Sequence, residues 1–226
     1  MKRSERRNPL IAEQVLPKFF ITLLLTFIAM YLGSLFIPES IALVCAMIPL
    51  VVLIVLLFKA IFSSSKKKSR KKLSTYGMKL PMWLVYLFVI LMGIGMYPAI
   101  KMYVSEIGAN LVILAFAATA AIFGGLFLYT YFTKRDFSGI GGFLFGALLA
   151  LIVLGIGNYF LGSSMLELAL AFAGVLVFSG YMLYDVSRMK HESFSKEDVP
   201  AAVFDLYLNF INIFLDILRI IHALRK

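Results

Sequence analysis

Four polar residues within one long apolar stretch are where this sequence holds chemistry: Asp205, Asn209, Asn212 and Asp216, spaced 4, 3 and 4 apart. At 3.6 residues per turn that spacing aligns them on one helical face. The positions between them are nearly all apolar, including Leu206, Leu208, Phe210, Ile211, Ile213, Phe214 and Leu215. An earlier apolar run ends on Tyr181, Tyr184 and Asp185. An ionised Asp at mid-membrane costs about 2.5 to 3.5 kcal/mol on insertion scales, so it persists only with a partner, water or a proton.

Asp198 followed by Val199 and Pro200 reads as an N-cap with proline in the first turn, and it starts the last helix about 14 residues after Asp185. Asp185 and Asp205 are then at similar depth. Two facing carboxylates do not both ionise cheaply, so they share a proton and titrate as a pair. That makes Asp185 and Asp205 a candidate pH sensor and a candidate cation (Ca2+) ligand pair, with Asn209 beside them and Asn212 and Asp216 lining the rest of the seam. A plainer reading pairs Asp185 with Arg188 and Asp216 with Arg219, each at i+3, and leaves Asp205 to the helix dipole. It does not account for the alignment of all four seam residues.

The elements that carry this seam follow from hydropathy. The chain has 226 residues, 62% of them apolar, and a mean hydropathy of +0.93. Its apolar runs are long enough for the roughly 20-residue helices that a hydrocarbon core of about 30 Å demands. We place spans at 17–37, 40–62, 80–101, 108–132, 139–161, 164–184 and 199–223. The expected fold is therefore an all-α integral membrane protein of seven transmembrane helices. Residues 1–16 form a basic cytoplasmic N-terminus, residues 17–224 a single domain, and residues 63–79 a Lys-rich cytoplasmic loop. The first apolar run is too long for a secretory signal and is retained as a helix. Gly142 and Gly146, four apart, are expected to let helices approach closely.

The basic residues give the orientation. Lys66, Lys67, Lys68, Arg70, Lys71 and Lys72 lie between the second and third spans, whereas the neighbouring loops hold mostly Glu39, Lys101 and Glu106. The positive-inside rule puts the Lys-rich loop and the N-terminus in the cytoplasm of a multi-pass protein of the cell membrane. Arg219, His222, Arg225 and Lys226 are the exception, because seven full spans place them outside. The net charge of +10 is absorbed by these flanking segments, so lipid is the expected partner and nucleic acid is not. A single cysteine, Cys45, rules out a disulfide or a Cys-based metal site within one chain. The two histidines, His191 and His222, and the lack of a Gly-x-Ser-x-Gly or His-Glu-x-x-His pattern argue against an enzyme and against a cofactor.

Two stretches, FSGYMLYD at 178–185 and LYLNFINIFLDILRI at 206–220, resemble the Bax inhibitor-1 family, as do TKRDFS at 133–138 and MYPA at 96–99. The resemblance covers roughly residues 17–224. It implies six helices around a central seventh, and a pH-sensitive calcium leak through the bundle. In the family, an aspartate ending the sixth helix pairs with one in the seventh and closes the cytoplasmic side. Asp185 matches the first, but the second falls on Asn209, in YLNF where bacterial members resemble YLDF. Asp205, one turn earlier, is then the candidate second carboxylate. Acids of the second and fourth helices in those members match Pro49 and Leu114 here, and Lys59 is the nearest match to a basic residue that braces the pair. The expected function is a proton-gated cation leak, with Ca2+ and H+ as its ions. The alternative is a non-transporting regulator that binds other membrane proteins, such as quality-control proteases.

Overall fold

The computed structural model describes residues 8–63 and 80–225, the side chains of residue 50 and residues 56–63 excepted. The described residues form seven α-helices and no strand: α1 (Leu16–Phe36), α2 (Glu39–Ser63), α3 (Met82–Ile107), α4 (Ala109–Phe132), α5 (Gly141–Leu161), α6 (Ser164–His191) and α7 (Val199–Arg225). Six of them, taken with the short turns that join α1, α5 and α7, are long and apolar enough to cross a membrane. The remaining one, α2, is an apolar helix of 25 residues with Pro49 inside it. This is the expected all-α membrane architecture. All but the first residue of the Lys-rich loop expected at 63–79 lies outside the described residues.

The helix boundaries follow from local chemistry. Ser163 caps α6 by accepting from the Leu166 N–H, directly after Gly162, whose φ of +63° disfavours a side chain. The last helix begins at Val199 as expected, but through a different cap. A short 3-10 turn, Lys196–Asp198, is closed by Ser195, and the Asp198 carboxylate accepts from the Ser195 N–H and hydroxyl at 2.9 and 2.8 Å.

The N-terminal boundary differs from the expectation of residue 17. Helix extends back to Pro9, and Ile11 and Val15 are fully buried. Asn8 receives the Leu10 N–H and donates to the Phe194 carbonyl at 3.1 Å, fastening the start of the chain to the α6–α7 loop. Asn8 caps this start and Pro9 opens its first turn, a cap-and-proline pattern within the basic N-terminal segment. The turn Ile11–Val15 is π-helical, and Pro17 just beyond it cannot donate to the carbonyl four residues back.

α7 is the centre of the bundle. In its most apolar stretch 72% of residues are buried, against 6% for α5 and at most 33% for α1, α3, α4 and α6. It packs directly on α1, α3, α4 and α6, while α2 lies against α3 and α5 against α6. One side of α7 is aromatic: Phe204 meets Phe88 at 4.8 Å, and Phe210 meets Phe123 and Phe116 at 5.4 and 5.6 Å between ring centroids. Tyr207, fully buried, shares a 3.0 Å hydrogen bond with Thr26 of α1. The polar seam faces the other way, toward α6. Among the described residues the expectation for Gly142 and Gly146 is not met, because none lies within 4 Å of a Cβ placed at either.

Candidate functional site

Near the junction of α6 and α7, Asp185 is 4% exposed and Asn209 is 5% exposed. The Asn209 Nδ2 donates to Asp185 Oδ2 at 2.8 Å. The bond joins residues 24 apart in sequence on two antiparallel helices, and a buried carboxylate without it would be left in an apolar surround. Asp205, one turn toward the helix start, is half-buried and lies within electrostatic reach of Asp185 and Arg188. Asp185 thus meets the amide of Asn209 in a direct bond and the carboxylate of Asp205 only through its charge.

Arg188 is the cation that sequence reasoning assigned only to local pairing. Its guanidinium lies 4.9 Å from the centre of the Tyr184 ring and 3.6 Å from Glu192, with its charge acting on both Asp185 and Asp205. This cation–π contact with tyrosine holds it next to the two acids. The side chain of Lys59, the expected brace, lies outside the described residues, although its backbone is within α2.

The same seam continues to the far end of the bundle. Asp216 is 4% exposed and pairs with Arg219 of its own helix at 2.6 Å. It is seated against Gly174 of α6, where a Cβ would lie 2.1 Å from Asp216 Oδ2. Only glycine leaves room there. Asn212, half-buried, returns to its own helix and donates to the Leu208 carbonyl at 2.8 Å. Three of the residues that broke the orientation pattern have partners at this end: Arg219 holds Asp216, His222 bonds Glu106, and Arg225 donates to the Ile107 carbonyl. Leu114 is 55% exposed, so that position faces away from the seam.

A second polar cluster, missed by sequence reasoning, ties the α4–α5 turn to the end of α6. The Ser187 hydroxyl donates to Asp136 Oδ1 at 2.9 Å and receives the Phe137 N–H at 2.8 Å. His191 Nδ1 lies 3.2 Å from the same hydroxyl and 3.6 Å from Asp136. Lys190 caps the end of α4 by donating to the Thr130 carbonyl at 3.0 Å and to that of Thr133. The Ser138 backbone N–H beside Asp136 holds its carboxyl below the usual carboxylate range, and Ser187 and His191 act in the same direction. The signal was present as Asp136-x-Ser138 and as Ser187 and His191 four apart on one helical face.

Serine, histidine and aspartate together invite comparison with a hydrolase triad, but the geometry differs. A triad uses both imidazole nitrogens, one for serine and one for aspartate, whereas here Nδ1 faces both. The serine is also fully buried. Among the described residues, no three His, Cys, Asp or Glu side chains converge as a metal site.

An all-helical bundle, wrapped around its C-terminal helix and joined by a polar seam between its last two helices, defines a polytopic membrane protein. The family model described as "Inhibitor of apoptosis-promoting Bax1" matches residues 12–226. The chain belongs to this family, the Bax inhibitor family. It is 33% identical to an uncharacterized protein of Helicobacter pylori strain J99 over 168 residues, 74% of this chain and 67% of that one. It is 35% identical to protein lifeguard 4 of Mus musculus over 147 residues, 65% of this chain and 60% of that protein. Over 114 residues it is 40% identical to the inner membrane protein YbhL of Escherichia coli K12, covering 46% and 49% of the two chains. The chain spans about half to two thirds of the length of these curated relatives.

Proposed function

We propose that the chain is a pH-sensitive cation leak of the cell membrane, with Ca2+ as the passing ion, gated where α6 meets α7. The observation that carries this reading is the buried bond from Asn209 to Asp185, the direct polar link between the central helix and α6 at this depth. A charge-assisted hydrogen bond is roughly twice as strong as a neutral one. Protonating Asp185 therefore weakens the link and loosens α6 from α7, and deprotonation restores closure. Asp205, half-buried one turn away, opposes full ionisation of the pair. Two carboxylates and an amide offer fewer oxygens than the six to eight calcium prefers, which suits a passing ion rather than a resident one. The basic residues at this end, Lys134, Arg135 and Lys196 among them, support its being cytoplasmic, together with the N-terminus.

The test is Ca2+ flux in proteoliposomes across pH, for the native chain and for Asp185→Asn and Asp205→Asn. Native flux rises on acidification, Asp185→Asn loses most of that dependence and Asp205→Asn loses part of it. Unchanged profiles in both variants overturn the mechanism.

A second reading, a regulator that binds other membrane proteins such as quality-control proteases, is favoured by α5. Its positions 142, 146, 150 and 153 (Gly, Gly, Ala and Val) are exposed and share one face. Absence of flux from purified protein, with a reproducible crosslink from this face to another membrane protein, selects that reading.

A further inference from the structure

On the α1–α2 side of the bundle, a cleft of about 620 Å³ lies between the ends of α1 and α3 and the start of α2. Its size falls within the range of ligand sites. Met30, Ile37, Ile100 and Val104 make its wall apolar, while Glu39 and Lys101 stand at its rim. The cleft begins at Met30, six residues before α1 ends at Phe36. At about 1.5 Å per residue this places it within roughly 10 Å of the helix end, where hydrocarbon gives way to headgroups.

The cleft has a built floor. The Tyr97 hydroxyl donates to the Ile37 carbonyl, fixing α3 to the α1–α2 turn. Deeper in, α2 and α3 are in close contact, since a Cβ at Gly95 would meet Ala46 Cα at 2.6 Å. The rim pair is a single cation and a single anion: Lys101 Nζ and Glu39 Oε1 are 2.7 Å apart, with side chains 70% and 56% exposed. Such an exposed pair contributes little to stability, so a ligand that replaces it with two matched contacts loses little by doing so.

We propose that this cleft binds one zwitterionic phospholipid of the phosphatidylethanolamine class. Its phosphate meets Lys101, its ammonium meets Glu39, and one acyl chain lies along the apolar wall. The neutral sum of the rim is what distinguishes this ligand from an anionic lipid, which would find one matched contact and one repulsive one.

The experiment is native mass spectrometry of the full chain released from nanodiscs containing equal parts phosphatidylethanolamine and phosphatidylglycerol. The native protein retains phosphatidylethanolamine over phosphatidylglycerol by about threefold or more. Glu39→Gln brings that ratio close to parity, and Val104→Trp, which fills the cleft, removes the selectively retained lipid. Equal retention by the native protein, a preference for phosphatidylglycerol, or an undiminished preference in Glu39→Gln overturns the proposal. The last comparison decides even where Val104→Trp does not fold.

Discussion

Asp185 and Asp216 are both 4% exposed, both lie between α6 and α7, and are nevertheless secured in opposite ways. Asp216 is neutralised within its own helix by Arg219, three residues on, and α6 contributes only the space left by Gly174. Asp185 belongs to α6 and is held by an amide on α7, so its partner is on the other helix. Equal burial thus hides unequal consequences. Separating α6 from α7 leaves the Asp216 pair intact, but it breaks the bond at Asp185. One end of the seam is a packing contact with an internal ion pair, and the other is a link that protonation can weaken.

The comparison is broken most severely at Gly174. Gly174→Val drives a side chain into the Asp216 carboxylate, 2.1 Å from the Cβ position. Overpacking of this kind costs typically about 1 to 3 kcal/mol, and displacing the buried Asp216 carboxylate adds to it. We expect a loss of about 3 kcal/mol in unfolding of the detergent-solubilised protein. Wild-type stability in this variant would show that the two helices can part at this end at no cost.

Asp185→Ala comes next, because it strands the buried Asn209 amide at about 1 to 3 kcal/mol. Asp185→Asn, which keeps an acceptor for that amide, loses about 1 kcal/mol. Equal losses in the two variants would mean that the hydrogen bond is not what holds α6 to α7.

The smallest effect is expected at the α4–α5 turn. Asp136 is held below its ordinary range, so its carboxylate stabilises the turn above the unfolded pKa, and that stabilisation is lost as pH falls through the lower folded value. The protection factors of the amides at residues 133–138, corrected for the intrinsic exchange rate, therefore fall on acidification in the native protein, and Asp136→Asn removes this pH dependence. Identical profiles would detach Asp136 from the turn.

Much of the architecture was legible because bilayer physics leaves few options. Long apolar runs must be helices, and a helix with polar residues on one face must turn that face inward, as Asn209 and Asp216 do. The spacing therefore shows the seam as one face, but not which of its residues bonds Asp185. Helical periodicity says which residues share a side of α7, not which of them lies level with Asp185, and a shift of one turn exchanges Asp205 for Asn209. Asn212 sits on the same face and still bonds its own backbone. The Asp136, Ser187 and His191 cluster joins residues about 50 apart, and the local spacings mark its two halves but not their meeting. The positively charged far end was puzzling in sequence because its partners, Glu106 and the Ile107 carbonyl, lie on α3.

The central claim is that the link between helices, and not the ion pair within one helix, carries the pH response. It is tested most directly by measuring Ca2+ flux in matched proteoliposomes of Asp185→Asn and Asp216→Asn from mildly alkaline to mildly acidic pH. The account predicts that Asp185→Asn leaks at alkaline pH and changes little on acidification, while Asp216→Asn keeps the native rise. A native-like profile in Asp185→Asn, with the response lost in Asp216→Asn, would contradict it.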